Sequence, residues 1–394
     1  MNVPFFFTLI CMNKIYYLIL VLFVSSCQKD KQNNSYSLVA VDDYLSFSID
    51  ENTRLPKFCL WTFSEGENEF LTFPNVGKEI LFYDLKTGSL VNKTVFDTEG
   101  NNGVGNIYGY SVIDFNHIYI ASPMTPTIFV TDTTGIIHSK VRYNVADDGS
   151  SLVPALAHSI TYSPIYVFGD SIYLAQDMNL QLSHGNSPYG VMIDRKTNKK
   201  VVTPLKHRLI LDEKDLPRAT GGAGKVSVCY DGSDFVYSSE LSDSVCKLSR
   251  DFAVTMSYCA KSRYIDAPKV EVLSHDADVE MILKRKCELP TYGNLIYDKY
   301  RNVYYRFAYP ATELDEERSY MEIYHNGRKR FSIIILDKEM NVLGETLFPD
   351  YTYNANLFFI TKDGLYLSVT HFKRPDFDEN VLRFQKIELQ KVKI

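Results

Sequence analysis

The chain has no long run of one charge sign in its 394 residues, and its formal charge is only −6. Nucleic-acid binding relies on a clustered basic surface, so this mild acidity argues against a nucleic-acid partner. Its cysteines show no CxxC spacing, and neither HExxH nor GxSxG occurs. Cysteine-cluster metal binding, zinc-protease chemistry and α/β-hydrolase chemistry therefore find no support. Long helical patterns are missing too, apart from short stretches at 276–286 and 313–320.

Two near-motifs fail on inspection. Gly221-Gly222-Ala223-Gly224-Lys225 suggests a phosphate loop, but Ala219 stands where the first glycine belongs and Val226 where Ser or Thr is required. Asp147-Asp148-Gly149-Ser150 lacks the spaced ligands of a calcium loop and reads as a polar turn. No cofactor and no metal are expected.

The apolar run at 15–24 is far shorter than the roughly 20 residues a membrane-spanning helix needs. It ends in Val24-Ser25-Ser26-Cys27, which resembles a bacterial lipobox, and Met12-Asn13-Lys14 makes a well-proportioned start for such a signal. The expectation is a lipoprotein signal peptide over 1–26 with lipidation at Cys27. Residues 27–36 form a polar tether, and 37–394 one domain. No aspartate follows Cys27 directly, which favours the outer membrane. The remaining cysteines are Cys59, Cys229, Cys246, Cys259 and Cys287, an odd number. Cys259 and Cys287 flank a long loop, leaving a disulfide and buried free thiols as alternatives.

What the chain does have is short β-runs in fours. Within 110–143, runs at 110–113, 118–121, 127–131 and 136–143 are rich in β-branched and aromatic residues and are separated by turn residues. Four strands in meander order make one propeller blade, and a lone blade cannot bury both its faces. Similar units fall at 58–63, 69–73, 79–83 and 90–96; at 165–168, 171–176, 190–193 and 200–207; at 226–230, 235–239, 244–248 and 253–258; and at 292–297, 302–309, 330–336 and 341–348.

The last unit has only 357–361, 365–370 and 381–389, while 37–49 is an unassigned strand at the other end of the chain. The fold expected is therefore all-β, a six-bladed β-propeller of four-stranded antiparallel blades, its ring closed by the N-terminal strand. A pair of β-sandwiches is the alternative. The third-to-fourth turns recur as Asp84…Gly88, Asp132…Gly135, Asp194…Asn198 and Asp337…Asn341. An Asp followed by a Gly or Asn at positive φ is what a tight hairpin requires.

Three stretches carry a resemblance: Pro290 to Phe307 (PTYGNLIYDKYRNVYYRF), Glu99 to Asn106 (EGNNGVGN) and the lipobox. Together they look like a family of uncharacterised bacterial lipoproteins classed as a domain of unknown function. Its members are similar to six-bladed, TolB-like propellers. The resemblance spans nearly the whole mature chain; it implies the fold and brings neither an activity nor site residues.

Chain direction alternates in a propeller. First-to-second and third-to-fourth turns therefore share one face, and second-to-third and blade-to-blade connections share the other. The first set is short, whereas the second includes 97–109, 144–164, 177–189, 208–225, 259–291, 310–329 and 371–380. Long connections are commonly functional, which makes that face the expected working face.

Its candidate ligand-binding residues are Arg218, Arg374, His158, His371 and Arg306, with Arg218 and Arg374 suited to an anionic group. Arg306 lies inside an apolar strand and must find a carboxylate, a carbonyl or a ligand anion, with Asp298 the ion-pair partner expected. No catalytic residue is identified. The function expected is a monomeric, lipid-anchored, non-enzymatic binding module for an envelope protein, a peptide or a glycan. A carbohydrate-active or other hydrolytic enzyme with its site at the channel mouth is the alternative.

Overall fold

The computed structural model describes residues 35–392 other than 58, 155–161, 179–186, 208–209, 222–224 and 315–319. After β1 (Tyr36–Ser48), four-stranded meanders follow in order. They are β2–β5 (Trp61–Glu65, Asn68–Asn75, Glu79–Asp84, Leu90–Val95) and β6–β9 (Gly109–Asp114, His117–Ala121, Thr127–Thr131, Ile137–Arg142). Then come β10–β13 (Tyr166–Phe168, Ser171–Ala175, Gly190–Asp194, Lys200–Val202) and β14–β17 (Val226–Tyr230, Asp234–Ser239, Ser244–Ser249, Thr255–Cys259). The fifth is β18–β21 (Thr291–Asp298, Val303–Tyr309, Ser332–Leu336, Val342–Leu347). The sixth has β22 (Asn354–Ile360), β23 (Leu365–Ser368) and β24 (Val381–Lys391), and β1 joins it as the outer strand.

Burial follows position in the blade. The middle strands β8, β19 and β20 are buried along their whole length, while the outer strand β9 is mostly exposed. The apolar core is divided into clusters shared by successive blades. One joins the first and second blades through Phe82 and Ile120, the next the second and third through Ile128 and Ile172, and another the third and fourth through Tyr173 and Phe235. Tyr304 meets Val236 between the fourth and fifth, Phe307 meets Phe358 between the fifth and sixth, and Phe384 meets Phe73 between the sixth and first. Six shared cores in sequence, the last returning to the first blade, define a closed six-bladed β-propeller.

Closure is made by the N-terminus. β1 pairs antiparallel with β24 from Tyr36 opposite Lys391 to Ser48 opposite Val381, with a bulge between Ala40 and Tyr44. β1 also touches the neighbouring blade, because the Leu38 amide donates to Thr346 Oγ1 at 2.8 Å. Gly344 permits the approach: a Cβ there would lie 2.0 Å from the Tyr36 carbonyl oxygen.

The Asp-led turns behave as expected in three blades, with Gly88, Gly135 and Asn198 at positive φ. In the fifth blade Met340 takes the left-handed conformation (φ 66°) in place of Asn341. Asn341 instead donates its backbone amide and its side-chain amide to Asp337. β13 stops at Val202, short of 207, because Pro204 has no N–H to extend the ladder. The helical stretches are α1 (Val279–Glu288) and α2 (Tyr320–Asn326), the latter beginning where the sequence pattern ends. Cys287 is a free thiol, so no Cys259–Cys287 bridge forms.

Candidate functional site

The channel has two different ends. At the short-turn end, a cavity of about 350 Å³ is walled by Trp61, Tyr166, Tyr230, Tyr297, Tyr300 and Phe359. Its lining runs into the first-to-second turns at Lys299 and Thr361, which fixes the end it belongs to. The polar tips of this wall bond within the chain. Trp61 Nε1 donates to the Val112 carbonyl (2.8 Å), Tyr230 Oη to Gly232 (2.8 Å) and Tyr297 Oη to Asn302 Oδ1 (3.0 Å). The volume is at the small end of the range for ligand cavities.

The other end is built from long connections, though not uniformly: the second-to-third turns of the first and fourth blades are only 76–78 and 240–243. α1 begins with Asp278 accepting the Met281 amide at 2.8 Å, which satisfies an otherwise orphan helix donor. It packs on α2 through Cys287 and Ile323, and Glu280 accepts the Tyr320 amide at 2.7 Å. α2 is in turn tied to β22, since Asn356 Nδ2 donates to the carbonyls of Tyr324 (3.3 Å) and His325 (3.1 Å).

These supports bring four side chains from three connections together. Lys225 Nζ donates to Tyr324 Oη at 3.2 Å, and Lys286 Nζ sits 4.9 Å from the Tyr324 ring centre. Arg328 is buried, 4.5 Å over the Tyr309 ring, donating to Thr291 Oγ1 at 2.9 Å and to the Leu289 carbonyl. Two glycines allow this packing: a Cβ on Gly293 would be 2.5 Å from the Tyr309 ring, and Gly327 (φ 101°) lets the chain turn against Asn354 before Arg328. Burial pushes the Tyr324 phenol up, but Lys225, Lys286 and Arg328 outweigh it and bring its pKa down to about 8. Asp177 is shifted the other way, raised by burial against the opposing pull of Lys225 and His207.

The residues singled out from the sequence go elsewhere. Arg218, closing a 3-10 turn at Glu213–Arg218, pairs with Asp215 (2.7 Å) and donates to the Leu273 carbonyl (2.7 Å). Arg374 holds Asp376 through both Nε (2.8 Å) and Nη2 (3.0 Å). His371 is fully buried, stacked 4.7 Å from Phe372, with Nδ1 accepting the Lys373 amide. His158 and Cys27 lie outside the described residues.

Arg306 does not pair with Asp298, which instead binds Arg301 at 2.8 Å. Its guanidinium enters a cage in the fourth blade, donating to Ser238 Oγ and to the carbonyls of Ser242, Asp243 and Ala260. The antiparallel register explains the difference. Asp298 sits opposite Val303 at the short-turn end of β18, several residues along β19 from Arg306.

Sequence reasoning missed Lys225, Lys286, Tyr324 and Arg328. The available signal was a lysine ending the glycine-rich stretch at 221–225 and a basic end to the helical stretch at 276–286.

The closed ring of six four-stranded meanders places the molecule in the β-propeller class. The chain belongs to the family described as "Domain of unknown function (DUF4221)", whose model matches residues 35–347. A solved DUF4221 member from Bacteroides vulgatus ATCC 8482 is 24% identical, with a TM-score of 0.76 over 91% of this chain and 100% of that one. A second solved structure, from Bacteroides fragilis NCTC 9343, is 10% identical with a TM-score of 0.55, over 92% and 98% of the two chains. Among functionally curated proteins none matches this chain.

Proposed function

We propose that this chain is an exported binding module, held at the outer membrane by lipid on Cys27, whose ligand or partner engages the long-connection end of the propeller channel. One observation carries the choice of end. Lys225, Lys286, Tyr324 and Arg328 come from three different connections and meet at one point, as residues of a binding site do. Export is supported by the lipobox at Val24 to Cys27, and the Bacteroides fragilis structure of similar fold bears the name "Putative exported protein". An envelope protein, a peptide or a glycan is the class of partner.

The test is capture from native envelope material with the full chain in two sets of charge reversals. Lys286→Glu is expected to lose the partner, whereas Lys86→Glu and Lys338→Glu, in the short turns, retain it. Loss from the short-turn set alone would place the working surface at the aromatic cavity instead.

A second reading, an enzyme acting on a carbohydrate or related substrate in the same mouth, is favoured by one specific feature. Asp177, raised by burial, and Tyr324, lowered by its three cations, both feel Lys225, and titratable groups perturbed in this way gather at functional sites. Turnover of an envelope glycan that Asp177→Asn abolishes, with capture unchanged, would select this reading over simple binding.

A further inference from the structure

Several cations among the described residues pair with carboxylates. Along α1, Lys284 reaches Glu288 at 3.9 Å, and Arg285 bridges Glu271 (2.8 Å) and Glu288 (2.6 Å). Arg301, Arg330 and Arg374 each bind an aspartate. Lys286, Lys225 and Arg328 are placed together without such a partner: among the described residues none of the three has a carboxylate within ion-pair distance, although all three act on Tyr324. Their contacts are the phenol and ring of Tyr324, the ring of Tyr309, Thr291 Oγ1 and the Leu289 carbonyl.

The acidic groups nearest Lys225 do not supply the missing charge. Glu240 accepts the Lys225 backbone amide at 3.3 Å, and neither it nor Asp177 contacts the ammonium. Collecting three positive charges around one phenol is unfavourable, and an anion joining them would relieve it.

We propose that Lys225, Lys286 and Arg328, gathered around Tyr324 at the long-connection end of the channel, form a binding site for one anionic group, a phosphate in preference to a carboxylate. Two lysines act as point charges and the guanidinium as a planar fork, a donor set suited to several oxygens of one group. The preference for phosphate follows from charge, since a dianion compensates more of the three cations than a monoanion does. This inference rests on the proposed working end and adds the chemistry of what binds there.

Tyr324 gives the site a distinctive property. Its phenol can itself become the missing anion, at a pKa of about 8. A bound phosphate and the phenolate then compensate the same charge, so each disfavours the other. The charged and titratable groups around this phenol are Lys225, Lys286 and Arg328, together with Tyr309, Tyr162 and the adjoining His325. Asp177 and Glu240 lie on the Lys225 side.

The experiment is calorimetric titration of the purified full chain with inorganic phosphate, and in parallel with acetate, at low ionic strength. At pH 7 a single saturable phosphate site is expected, with acetate weaker. Lys225→Met and Lys286→Met should each lower phosphate affinity about tenfold, the loss of one charge-assisted contact. Lys286→Arg should restore most of it, and Lys86→Glu should change nothing.

Raising the pH from 8 to 9, where phosphate is already the dianion and the phenol completes its ionisation, should weaken phosphate binding in the wild type. In Tyr324→Phe that step should vanish while binding at pH 7 persists. Absence of saturable phosphate binding in a folded wild type, or equal loss in Lys86→Glu, overturns the inference. If phosphate binding fails while Lys286→Glu still loses its envelope partner, the anion is wrong and the working end stands. If both fail, the end itself is wrong.

Discussion

The guanidinium of Arg306 lies 3.6 Å from the centre of the Tyr292 ring while its nitrogens reach across to the fourth blade, so one side chain fastens two neighbouring blades. Tyr292 takes part through its own hydroxyl, donating to Asp243 Oδ1 at 2.6 Å and accepting the Ser262 amide. Burial pulls Arg306 down to about 10, still far above neutral, so the cation persists in the cage.

Arg306→Met removes the donor to at least three carbonyls at once and should cost about 3 kcal/mol or more of unfolding free energy. Arg306→Lys should restore little, since one ammonium cannot reproduce a planar fork stacked on an aromatic ring. Urea unfolding of both variants checks this, and a loss under about 1 kcal/mol would mean the carbonyls find water instead.

A second inter-blade link responds to acid. Tyr304 Oη donates to Asp231 Oδ2 at 2.5 Å and Lys247 Nζ lies 3.1 Å from the same oxygen. Burial raises the Asp231 carboxyl, but the bonds from Tyr304 and from the amides of Asp234 and Ser233 prevail and hold it well below its ordinary 3.8. A carboxyl depressed in the folded state adds stability that is complete above the unfolded value and lost as pH falls through the folded one. Melting temperature should therefore fall with acidification below about pH 4, and Asp231→Asn should be less stable than wild type at pH 7 yet flatter across the acid range.

Blade architecture was legible because each strand announces itself locally. Alternating β-branched residues end at an Asp that turns the chain, as at Asp84, Asp132 and Asp194, and such signals need no long-range information. The turn at Phe252 (φ 63°) carries no comparable signature, because Ser249 Oγ and Asp251 organise it and the aromatic takes the strained position. Met340 is similar: Asp337 captures Asn341, and the left-handed residue becomes its neighbour.

The site was less legible for a geometric reason. Lys225, Lys286 and Arg328 are each an unremarkable basic residue in its own segment, and only ring closure makes them neighbours. Arg218 and Arg374 drew notice as isolated arginines in long loops, but Asp215 and Asp376 stand three and two residues away and claim them first.

Anchoring gives a prediction independent of the fold. If Val24-Ser25-Ser26-Cys27 is processed as a lipobox, Cys27→Ala should move the protein from the membrane fraction to the soluble fraction and abolish acyl labelling, while Cys11→Ala should do neither. Acyl labelling that survives in the Cys27 variant would refute the assignment.

Ring closure gives the last. Phe47 on β1 is fully buried, edge-on to Tyr83 of the first blade at 5.7 Å and to Phe384 of β24 at 6.0 Å, so the N-terminal strand packs across the seam as well as pairing along it. Phe47→Ala should cost about 3–5 kcal/mol, the usual loss for a buried aromatic. Gly344→Ala should destabilise as well, because its Cβ would collide with the Tyr36 carbonyl where β1 crosses the fifth blade. Deleting 36–48 should do more than either. It leaves the whole edge of β24 unpaired, from Val381 to Lys391, an open template for a second chain, so aggregation should accompany the loss of stability. Light scattering during a thermal ramp separates the outcomes: the point variants should melt earlier as monomers, and the deletion should associate before it melts. A deletion variant that remains monomeric with an unchanged melting temperature would show that β24 does not depend on β1 for its edge.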